Sequence, residues 1–358
     1  MIVLGIDTSC DDTSVGIVQD TTVLANVVSS QDAIHAEWGG VVPNLARRAH
    51  QENFPIVYQQ ALSEAGIQEN QIDVIAVTYG HGLAIALEVG IAEAKALATR
   101  LQKPLIAVNH SEGHVVANCA NDRTGEGGIA LTENSLPALC ILVAGGQTQF
   151  VRMQSFGEYD MLGQTVDDAI GEGFDKAARL LGLPYPGGAK LSELATTGNP
   201  TAYTLPRPMR GSGDFDVSYA GLKTAFLHLV NKTKLETTDG ALSPEQLADL
   251  AASYQEAAID TLLIKIKKIV ESGEYKQILL GGGVAANPVL QQRLTTLGSE
   301  RNIPVHIPYS RKLCTDNGAM IAVAGYFHAQ KRDFVENFDD LERDPRLHLT
   351  RTITPAHE

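Results

Sequence analysis

The sequence has few cysteines, few aromatic residues and no long apolar run, and these shortages exclude several classes of protein. Its four cysteines, among 358 residues, stand far apart without a CxxC pair, so neither a disulfide framework nor a zinc knuckle is indicated. No window reaches the roughly 18 uninterrupted apolar residues that span a bilayer. Residues 1–7 lack the basic start of a signal peptide. We therefore predict a cytoplasmic protein without a membrane segment.

Basic residues are also scarce, because 28 Lys and Arg stand against 42 Asp and Glu, a formal net charge of −14. This balance argues against a broad nucleic-acid-binding surface, since phosphate contacts need Lys and Arg. A single site needs only a local basic patch. Candidates for such a patch are Arg47, Arg48, Lys223 and the segment 207–210.

Two similar series of α/β signals are present, and the length suits about two domains. The first series predicts strands at 2–7, 13–18 and 22–28, a helix at 45–65, a strand at 72–78, a helix at 88–100 and a strand at 105–108. The second predicts strands at 138–144 and 150–153, helices at 166–183 and 244–272, a strand at 277–280, a helix from 288, a strand at 305–307 and a final helix at 317–330.

Each series opens with a strand, a polar turn and a second strand, which predicts a two-lobed α/β architecture with a central cleft. We place the N-terminal lobe at 1–133 and the C-terminal lobe at 134–330. The final helix is free to pack back on the first lobe. Residues 331–358 are charged and lack periodicity, so we interpret them as a surface extension.

Two histidines follow the predicted strand at 105–108. The four-residue spacing of His110 and His114 places both imidazoles on one face of a helix, as two ligands of one metal ion require. The alternative is that one histidine caps the helix and the other packs against the strand. A position at the end of a strand beside a cleft favours the metal site. Asp316 is the candidate third ligand, with a helix N-cap as its alternative role.

Glycine-rich turns at two places favour a nucleotide. In the segment 281–288, three glycines precede Asn287 as predicted N-cap and Pro288 in the first helical turn. Neither the GxGxxG pattern nor a P-loop lysine is present. The turns at 11–13 and 145–148 are suited to phosphate, and we expect Asp11 and Asp12 to be the catalytic carboxylates. Turn geometry alone explains either loop by itself.

The acidic run 167–176 predicts that Asp168, Glu172 and Asp175 share one helical face, which is ordinarily a solvated face. No Ser/His/Asp or Cys/His arrangement is supported by spacing, so a covalent mechanism is not favoured.

Ten collinear segments, from Ile2 to about Ala324, together resemble one family. They resemble the bacterial TsaD proteins, tRNA N6-adenosine threonylcarbamoyltransferases formerly classed as O-sialoglycoprotein endopeptidases, within the actin/Hsp70/sugar-kinase (ASKHA) superfamily. The segments are 8–11 (TSCD), 35 with 39–43 (H, GGVVP), 109–114 (NHSEGH), 142–146 (LVAGG), 167–169 (DDA), 174–176 (FDK), 185–188 (YPGG), 221–224 (GLKT), 282–284 with 287 (GGV, N) and 314–317 (CTDN).

The resemblance implies a reaction and its residues. Such enzymes transfer the threonylcarbamoyl group of threonylcarbamoyl-AMP to N6 of adenosine 37 in tRNAs that read ANN codons. His110, His114 and Asp316 match the metal ligands, with Fe²⁺ expected and Zn²⁺ as the alternative. The residues that match the nucleotide-substrate contacts are Leu142, Val143, Ala144, Gly145, Gly146, Asp175, Gly188 and Asn287.

The resemblance also implies two protein partners, a TsaB-like paralogous subunit and a TsaE-like P-loop ATPase. Because the chain is acidic, we expect it to bind tRNA weakly by itself, with partners supplying much of the phosphate-binding surface. The alternatives are an ATP-dependent phosphotransferase or hydrolase of the same fold and a non-catalytic scaffold paralogue. A peptidase finds little support, because HxxxH lacks the glutamate of HExxH.

The sequence departs from the family pattern in several loops. Histidine stands at 81 where proline is usual, Ile85 replaces a small residue, and Gln147 replaces a histidine in the phosphate loop. Asp12, Asn44 and Arg47 are further departures. We expect these changes to affect loop conformation, nucleotide handling and partner contacts more than the type of reaction.

Overall fold

The structure is a computed structural model that describes residues 1–237 and 240–350. It contains two five-stranded mixed sheets. The strands of the first sheet are β1 (Ile2–Asp7), β2 (Asp12–Gln19), β3 (Thr22–Ser30), β4 (Val74–Gly80) and β5 (Leu105–Asn109). The strands of the second are β6 (Ala138–Val143), β7 (Thr148–Ser155), β8 (Glu158–Gln164), β9 (Gln277–Gly281) and β10 (Val305–His306).

Both sheets have the same topology. Their strand orders are β3-β2-β1-β4-β5 and β10-β9-β6-β7-β8. In each, the first three strands form an antiparallel meander, and the two later strands add in parallel on the other side of the first strand. The central strands β1 and β6 are almost fully buried, as strands covered on both faces must be. The predicted two-lobed α/β fold is confirmed.

Helices cover the sheets and connect the parallel strands. They are α1 (Asp32–Ala36), α2 (Pro43–Ala65), α3 (Ala84–Leu101), α4 (His110–Val116), α5 (Ile170–Leu180), α6 (Gly188–Ala195), α7 (Ala220–Leu235), α8 (Pro244–Ser272), α9 (Pro288–Glu300), α10 (Arg311–Cys314) and α11 (Gly318–Gln330). Short 3-10 turns lie at Glu69–Gln71, Ala117–Cys119, Glu133–Ser135, Gly283–Ala286 and Phe338–Asp340. None of the helices in the described ranges is long and apolar enough to cross a membrane.

The last helix, α11, lies directly on the first sheet, although it follows the second sheet in the chain. Glycines make this approach possible. Gly5 and Gly16 face each other on β1 and β2, and a Cβ at Gly16 would lie 2.1 Å from the backbone nitrogen of Ala319. A Cβ at Gly318 would in turn lie 2.2 Å from the nitrogen of Gly16. The helix and the sheet therefore touch backbone to backbone, which fixes the start of α11.

Helix α5 begins at Ile170 and not near 166, so the prediction that Asp168 shares a helical face with Glu172 and Asp175 is wrong. Asp167 instead accepts hydrogen bonds from the backbone N–H groups of Tyr219 and Ala220 at the start of α7. These long-range contacts hold Asp167 outside the helix. Strand β8 and helices α6 and α7 were not predicted from the sequence.

The segment 331–350, expected to be a surface extension, packs on the first lobe. Leu341 and Leu347 are buried in the core beside β1 and β4, and the backbone N–H of Asp344 donates to the carbonyl of Tyr79 at 2.8 Å. The rest of that predicted extension, 351–358, lies outside the described residues. The lobe boundaries after 133 and 330 stay predictions.

Candidate metal and nucleotide site

Two histidines and an aspartate converge between the lobes. Both His110 Nε2 and His114 Nε2 face Asp316 Oδ1, at 3.3 and 3.1 Å. One ligand atom from each of the three residues lies within 4.8 Å of the others. The imidazole rings stand nearly perpendicular with centroids 4.7 Å apart. The cluster predicted from sequence spacing is therefore brought together.

Local caps hold these side chains in place. Asn109 ends β5 and its side chain accepts the backbone N–H of Ser111 at 2.9 Å, which starts α4 at His110. At the other end of the cluster, Asn317 accepts the N–H of Met320 and is the N-cap of α11. The alternative role of Asp316 as that cap is therefore wrong. With the cap supplied by its neighbour, the Asp316 carboxylate is free to face the histidines.

A glycine brings the second lobe against the histidine helix. Helix α4 packs on β5 of the first sheet and on β6 and β9 of the second. A Cβ at Gly281, the last residue of β9, would lie 2.5 Å from the carbonyl oxygen of His114. Any larger residue would push α4 away from β9, so this glycine sets the position of His114 between the lobes.

Asp7, which sequence reasoning missed, orients His110 from behind. Asp7 is fully buried at the end of β1, and its Oδ1 lies 3.4 Å from His110 Nδ1 and accepts from Thr78 Oγ1 at 2.5 Å. Its Oδ2 accepts from Ser9 Oγ at 3.1 Å. Carboxylates commonly bind the second ring nitrogen of a metal-ligating histidine in this way. A charged residue closing an otherwise apolar strand was the available sequence signal.

The cluster favours positive charge. Burial by itself lowers the pKa of His110, but the carboxylates of Asp316 and Asp7 outweigh burial and raise that pKa to about 10. Burial favours the protonated form of Asp316, yet His110 and His114 hold the pKa of this carboxyl well below its usual range. A proton or a divalent cation supplies the charge that this arrangement stabilises.

Asp11 and Asp12 lie in the turn between β1 and β2, close enough to Asp316 for the charges to interact. Burial, followed by the charge of Asp316, raises the pKa of Asp12 to about 7. Burial also raises the pKa of Asp11. Within the described part of the chain, Asp12 Oδ1 is buried without a hydrogen-bond partner. This concentration of carboxylates next to two imidazoles is unfavourable unless a cation is bound.

The residues fit a divalent metal by the chemistry of their donors. Two imidazoles and one carboxylate form a common ligand set for iron(II) and zinc, and they leave coordination positions open for substrate. Asp7 supplies the supporting carboxylate, and the orphaned Asp12 Oδ1 is an acceptor available to a bound cation or its water.

A cavity of about 680 Å³ lies beside this cluster in the second lobe. Of the predicted nucleotide contacts, Gly145, Asp175, Gly188 and Asn287 line it. Leu142, Val143, Ala144 and Gly146 are not among its lining residues; Leu142 and Val143 are buried in β6. The cavity also reaches Thr315, the neighbour of Asp316. It therefore extends from the glycine turn at 145 to the residue next to the candidate metal ligand Asp316.

Two of these residues hold the cavity wall together. Asp175 Oδ1 accepts the backbone N–H groups of Gly187 and Gly188, at 3.0 and 2.7 Å. Asn287 caps α9 through two N–H groups at 3.0 Å, as predicted, and its amide also donates to Gln255 Oε1 at 2.7 Å. These bonds leave Oδ2 of Asp175 as the carboxylate oxygen available to a ligand.

Sequence reasoning missed several polar residues in the cavity. These are Lys190, Ser192, Glu193, Arg311 and Thr315. Arg311 is exposed and forms no ion pair with any residue that the structure describes, so its guanidinium is available to a phosphate. Helices α6 and α10 bring these residues to the cavity, and α6 was not predicted.

Two departures from the family pattern meet at Ser111. The hydroxyl of Ser111 donates to Gln147 Oε1 at 3.0 Å and lies 3.4 Å from His81 Nδ1. The ring of His81 stands perpendicular to that of His110, with centroids 5.2 Å apart. The substituted loops therefore contact each other beside the metal ligands and connect α4 to the phosphate loop. Ile85 lies in the first turn of α3.

Most of the candidate basic patch is neutralised. Lys223 forms an ion pair with Asp168 at 2.6 Å, and Arg207 with Asp260 at 2.5 Å. Arg48 is exposed and pairs with Glu52. Only Arg47 and Arg210 of the proposed set stand exposed without an ion pair among the described residues. The expectation that Lys223 and Arg207 contribute to phosphate binding is therefore not supported.

Comparisons with known proteins agree on one family. Residues 22–323 match the family model described as "TsaD: tRNA N6-adenosine threonylcarbamoyltransferase". The chain is 47% identical to the tRNA N6-adenosine threonylcarbamoyltransferase of Thermosipho africanus over 98% of this chain and 100% of that protein. It is 43% identical to the enzyme of that name from Thermomicrobium roseum, over the full length of both.

Solved structures share the fold at low identity. Component A of the (R)-2-hydroxyglutaryl-CoA dehydratase of Acidaminococcus fermentans superposes with a TM-score of 0.54 at 12% identity, over 92% of this chain and 99% of that chain. HypF of T. kodakarensis gives a TM-score of 0.55 at 14% identity, over 92% of this chain and 48% of that chain. At such identities the likeness concerns the fold alone.

Proposed function

The chain belongs to the TsaD family of tRNA N6-adenosine threonylcarbamoyltransferases, and from this premise we propose how it forms threonylcarbamoyladenosine in tRNA. It transfers the threonylcarbamoyl group of threonylcarbamoyl-AMP to N6 of adenosine 37 in tRNAs that read ANN codons. His110, His114 and Asp316 hold one divalent metal ion, with Fe²⁺ as the expected metal and Zn²⁺ as the alternative. The observation that carries the proposal is that these three residues converge beside the cavity of about 680 Å³. That cavity is lined by Thr315, the neighbour of Asp316.

The chemistry asks the site to position two reactants. The N6 amine attacks the carbamoyl carbon, a C–N bond forms, the bond from that carbon to the phosphate oxygen breaks, AMP leaves, and the amine loses a proton. An exocyclic adenine amine is a weak nucleophile, so orientation and stabilisation of charge on the carbonyl oxygen supply most of the acceleration. A bound divalent cation would act as a Lewis acid on that oxygen.

The residues of the chain divide this work. The glycine turn at 145 and the guanidinium of Arg311 are suited to the AMP phosphate, and Asp175 and Glu193 to polar groups of the nucleoside. Asp11 and Asp12 are carboxylates whose charges interact with Asp316, and burial raises the pKa of each. A carboxylate with a raised pKa is a better acceptor for the proton that leaves the amine.

Helper proteins are part of the proposal. The chain carries a formal charge of −14 and most of its candidate basic patch is ion-paired. We propose that a TsaB-like paralogous subunit and a TsaE-like P-loop ATPase complete the assembly, with partners supplying phosphate-binding surface. Submicromolar binding of tRNA by the isolated chain at physiological salt would contradict this part.

The test is reconstitution with a histidine variant. The purified chain, candidate helper proteins, synthetic threonylcarbamoyl-AMP and an unmodified ANN-decoding tRNA are combined, and modified adenosine is measured by mass spectrometry. We expect His110→Ala to lose bound metal and to reduce the transfer rate more than about 100-fold, since even residues behind metal ligands contribute 10- to 100-fold. His228→Ala, which changes an exposed histidine of α7, is the matched control.

Two results would contradict the proposal in different ways. Absence of product from the wild-type chain, while ATP hydrolysis persists, would favour a phosphotransferase or hydrolase. Full activity of His110→Ala would refute the metal assignment and leave the transferase activity in place.

A further inference from the structure

A second cavity, of about 430 Å³, lies on the other side of Asp175 from the nucleotide cavity. One wall belongs to the first lobe, at Gly39 and Gly40, and the other to the second lobe, at Arg179 and Tyr185. Asp175 lines both cavities. The two cavities are therefore neighbours that share a wall. The proposed function assigns the nucleotide to the larger cavity.

Tyr185, a wall residue of the second cavity, interacts electrostatically with Asp11. The charges of Asp11 and Asp175 contribute to raising the pKa of Tyr185, after burial as the main cause. Tyr185 therefore lies close to Asp11, which in turn interacts with Asp316.

An exposed tryptophan stands at the mouth of this cavity. Trp38, the single tryptophan of the chain, is 66% exposed and directly precedes the wall residues Gly39 and Gly40. Its loop is held in place, because buried His35 accepts the N–H of Val42 through Nδ1 and receives the N–H of Trp38 at its backbone carbonyl, at 3.3 and 3.0 Å. A large aromatic ring kept in solvent by a fixed loop is suited to stack on a nucleobase.

The charges around the mouth suit a polyanion. Arg179 lines the cavity, is exposed and forms no ion pair with a described residue. Arg47 does not line the cavity but lies on α2, which begins three residues after the wall residue Gly40, and it is likewise exposed and unpaired within the described chain. The neighbouring Lys176 is already bound to Asp168 and Glu172. Two free guanidinium groups in an otherwise acidic chain favour RNA over an apolar protein surface as the occupant.

We propose that this second cavity, here called the acceptor cavity, receives the reacting adenosine of the tRNA anticodon loop. Trp38 stacks on a base of that loop, and Arg179 and Arg47 contact its phosphates. The inference rests on the proposed function and adds the position of the acceptor, with AMP and adenosine on opposite sides of Asp175.

Steady-state kinetics of the reconstituted reaction test it. Trp38→Ala is expected to raise the KM for tRNA about tenfold, because stacking of one base contributes roughly that much or more. The KM for threonylcarbamoyl-AMP stays unchanged, and Trp38→Phe restores most of the affinity. Ile56→Ala, which removes a side chain of equal 66% exposure on α2, is the matched control.

The arginines provide a second, independent readout. The slope of log KM for tRNA against the logarithm of the salt concentration should decrease by about one in Arg179→Ala and by about one in Arg47→Ala, because each variant loses one phosphate contact. Arg48→Ala is the control for Arg47, because Arg48 is exposed but paired with Glu52. At low salt, an unmodified anticodon stem-loop should also quench the fluorescence of Trp38 in the full chain, and less so in Arg179→Ala.

The outcomes separate this inference from the proposed function. If the wild-type chain forms no modified adenosine, both fail. If it does and the KM for tRNA is unchanged in Trp38→Ala and Arg179→Ala, the acceptor cavity is wrong and the function stands. If Trp38→Ala loses activity that additional helper subunit restores, while its KM for tRNA is unchanged, then Trp38 contacts protein. This result would also overturn the inference.

Discussion

The two sheets share one topology, yet the turns between their first two strands present different chemistry. The segment 8–12, between β1 and the first residue of β2, is acidic and has no exposed residue. The turn of the second sheet, residues 144–147, exposes Gly145 and Gly146. The charges of Asp11 and Asp12 in the first turn interact with Asp316, and Gly145 of the second turn lines the cavity of about 680 Å³. Repeated topology thus supplies two equivalent positions across a cleft, and side chains decide what each one binds.

Packing explains the difference in burial. The first turn is covered by the loop before α3 and by α2: the N–H of Leu83 donates to the carbonyl of Ser9 at 2.7 Å, and His50 Nε2 lies 3.0 Å from the carbonyl of Cys10. Burial raises the pKa of both carboxyls that follow, Asp11 and Asp12. No atom lies within 4 Å of a Cβ built at Gly145 or Gly146. The second turn is therefore free for a ligand.

The largest expected effect is the difference in stability between two separate glycine-to-alanine variants, one in each turn-bearing sheet. Gly16→Ala places a Cβ 2.1 Å from the backbone of Ala319. Because backbone cannot move aside as a side chain can, we expect the free energy of unfolding to fall by about 3 kcal/mol. Gly145→Ala should change it by less than about 0.5 kcal/mol. Urea denaturation measures the free energy of unfolding of both variants. Equal values would contradict the proposed difference in packing between the two positions.

A smaller effect is expected from the buried charge of the first turn. Burial and Asp316 raise the pKa of Asp12 from 3.8 to about 7. Between these values Asp12 binds more protons in the folded chain than in the unfolded chain, so its contribution to the stability of chelator-treated protein falls as pH rises from about 4 to 7. Burial lowers the pKa of His81 to about 3, which acts in the opposite direction over the same range, so the effect is measured as the difference in stability between Asp12→Asn and the wild-type chain. Asp12→Asn removes this titration and should raise the free energy of unfolding at neutral pH by about 2 kcal/mol.

Denaturation at a series of pH values, without metal, measures that slope. Asp339→Asn, at an exposed position, is the control and should keep the wild-type slope. If the difference in stability between Asp12→Asn and the wild-type chain does not grow as pH rises over this window, the description of the first turn as a desolvated acidic turn is incorrect.

The smallest expected effect tests whether Arg311, in the second lobe, binds the AMP phosphate. Arg311→Ala should raise the KM for threonylcarbamoyl-AMP and the inhibition constant of AMP about tenfold, the usual size for one charge-assisted hydrogen bond. The kcat should change little. Lys312→Ala removes the neighbouring exposed charge, which does not line the cavity, and should behave as wild type. Matching constants for the two variants would argue against Arg311 as a phosphate ligand.

Much of the fold could be predicted because local patterns were strong. The buried strands β1, β6 and β9 and the long helix α8 lie within a few residues of their predicted positions. The irregular parts of the second lobe were missed. Strand β8 is only half-buried and α7 has neither a capping side chain nor a clear apolar face, so both depend on contacts with distant residues. The start of α5 was misplaced because the side chain of Asp167 is bound by α7.

The sequence by itself determined the family, the two α/β series and the three candidate metal ligands, because spacing and collinear motifs are local properties of the chain. Only the tertiary structure decided that Asn317 caps α11 while Asp316 faces the histidines. It also added Asp7 behind His110, Arg311 in the nucleotide cavity and the acceptor cavity beside Trp38. Those features depend on which distant residues meet when the two lobes close around α4, and no spacing along the chain contains that information.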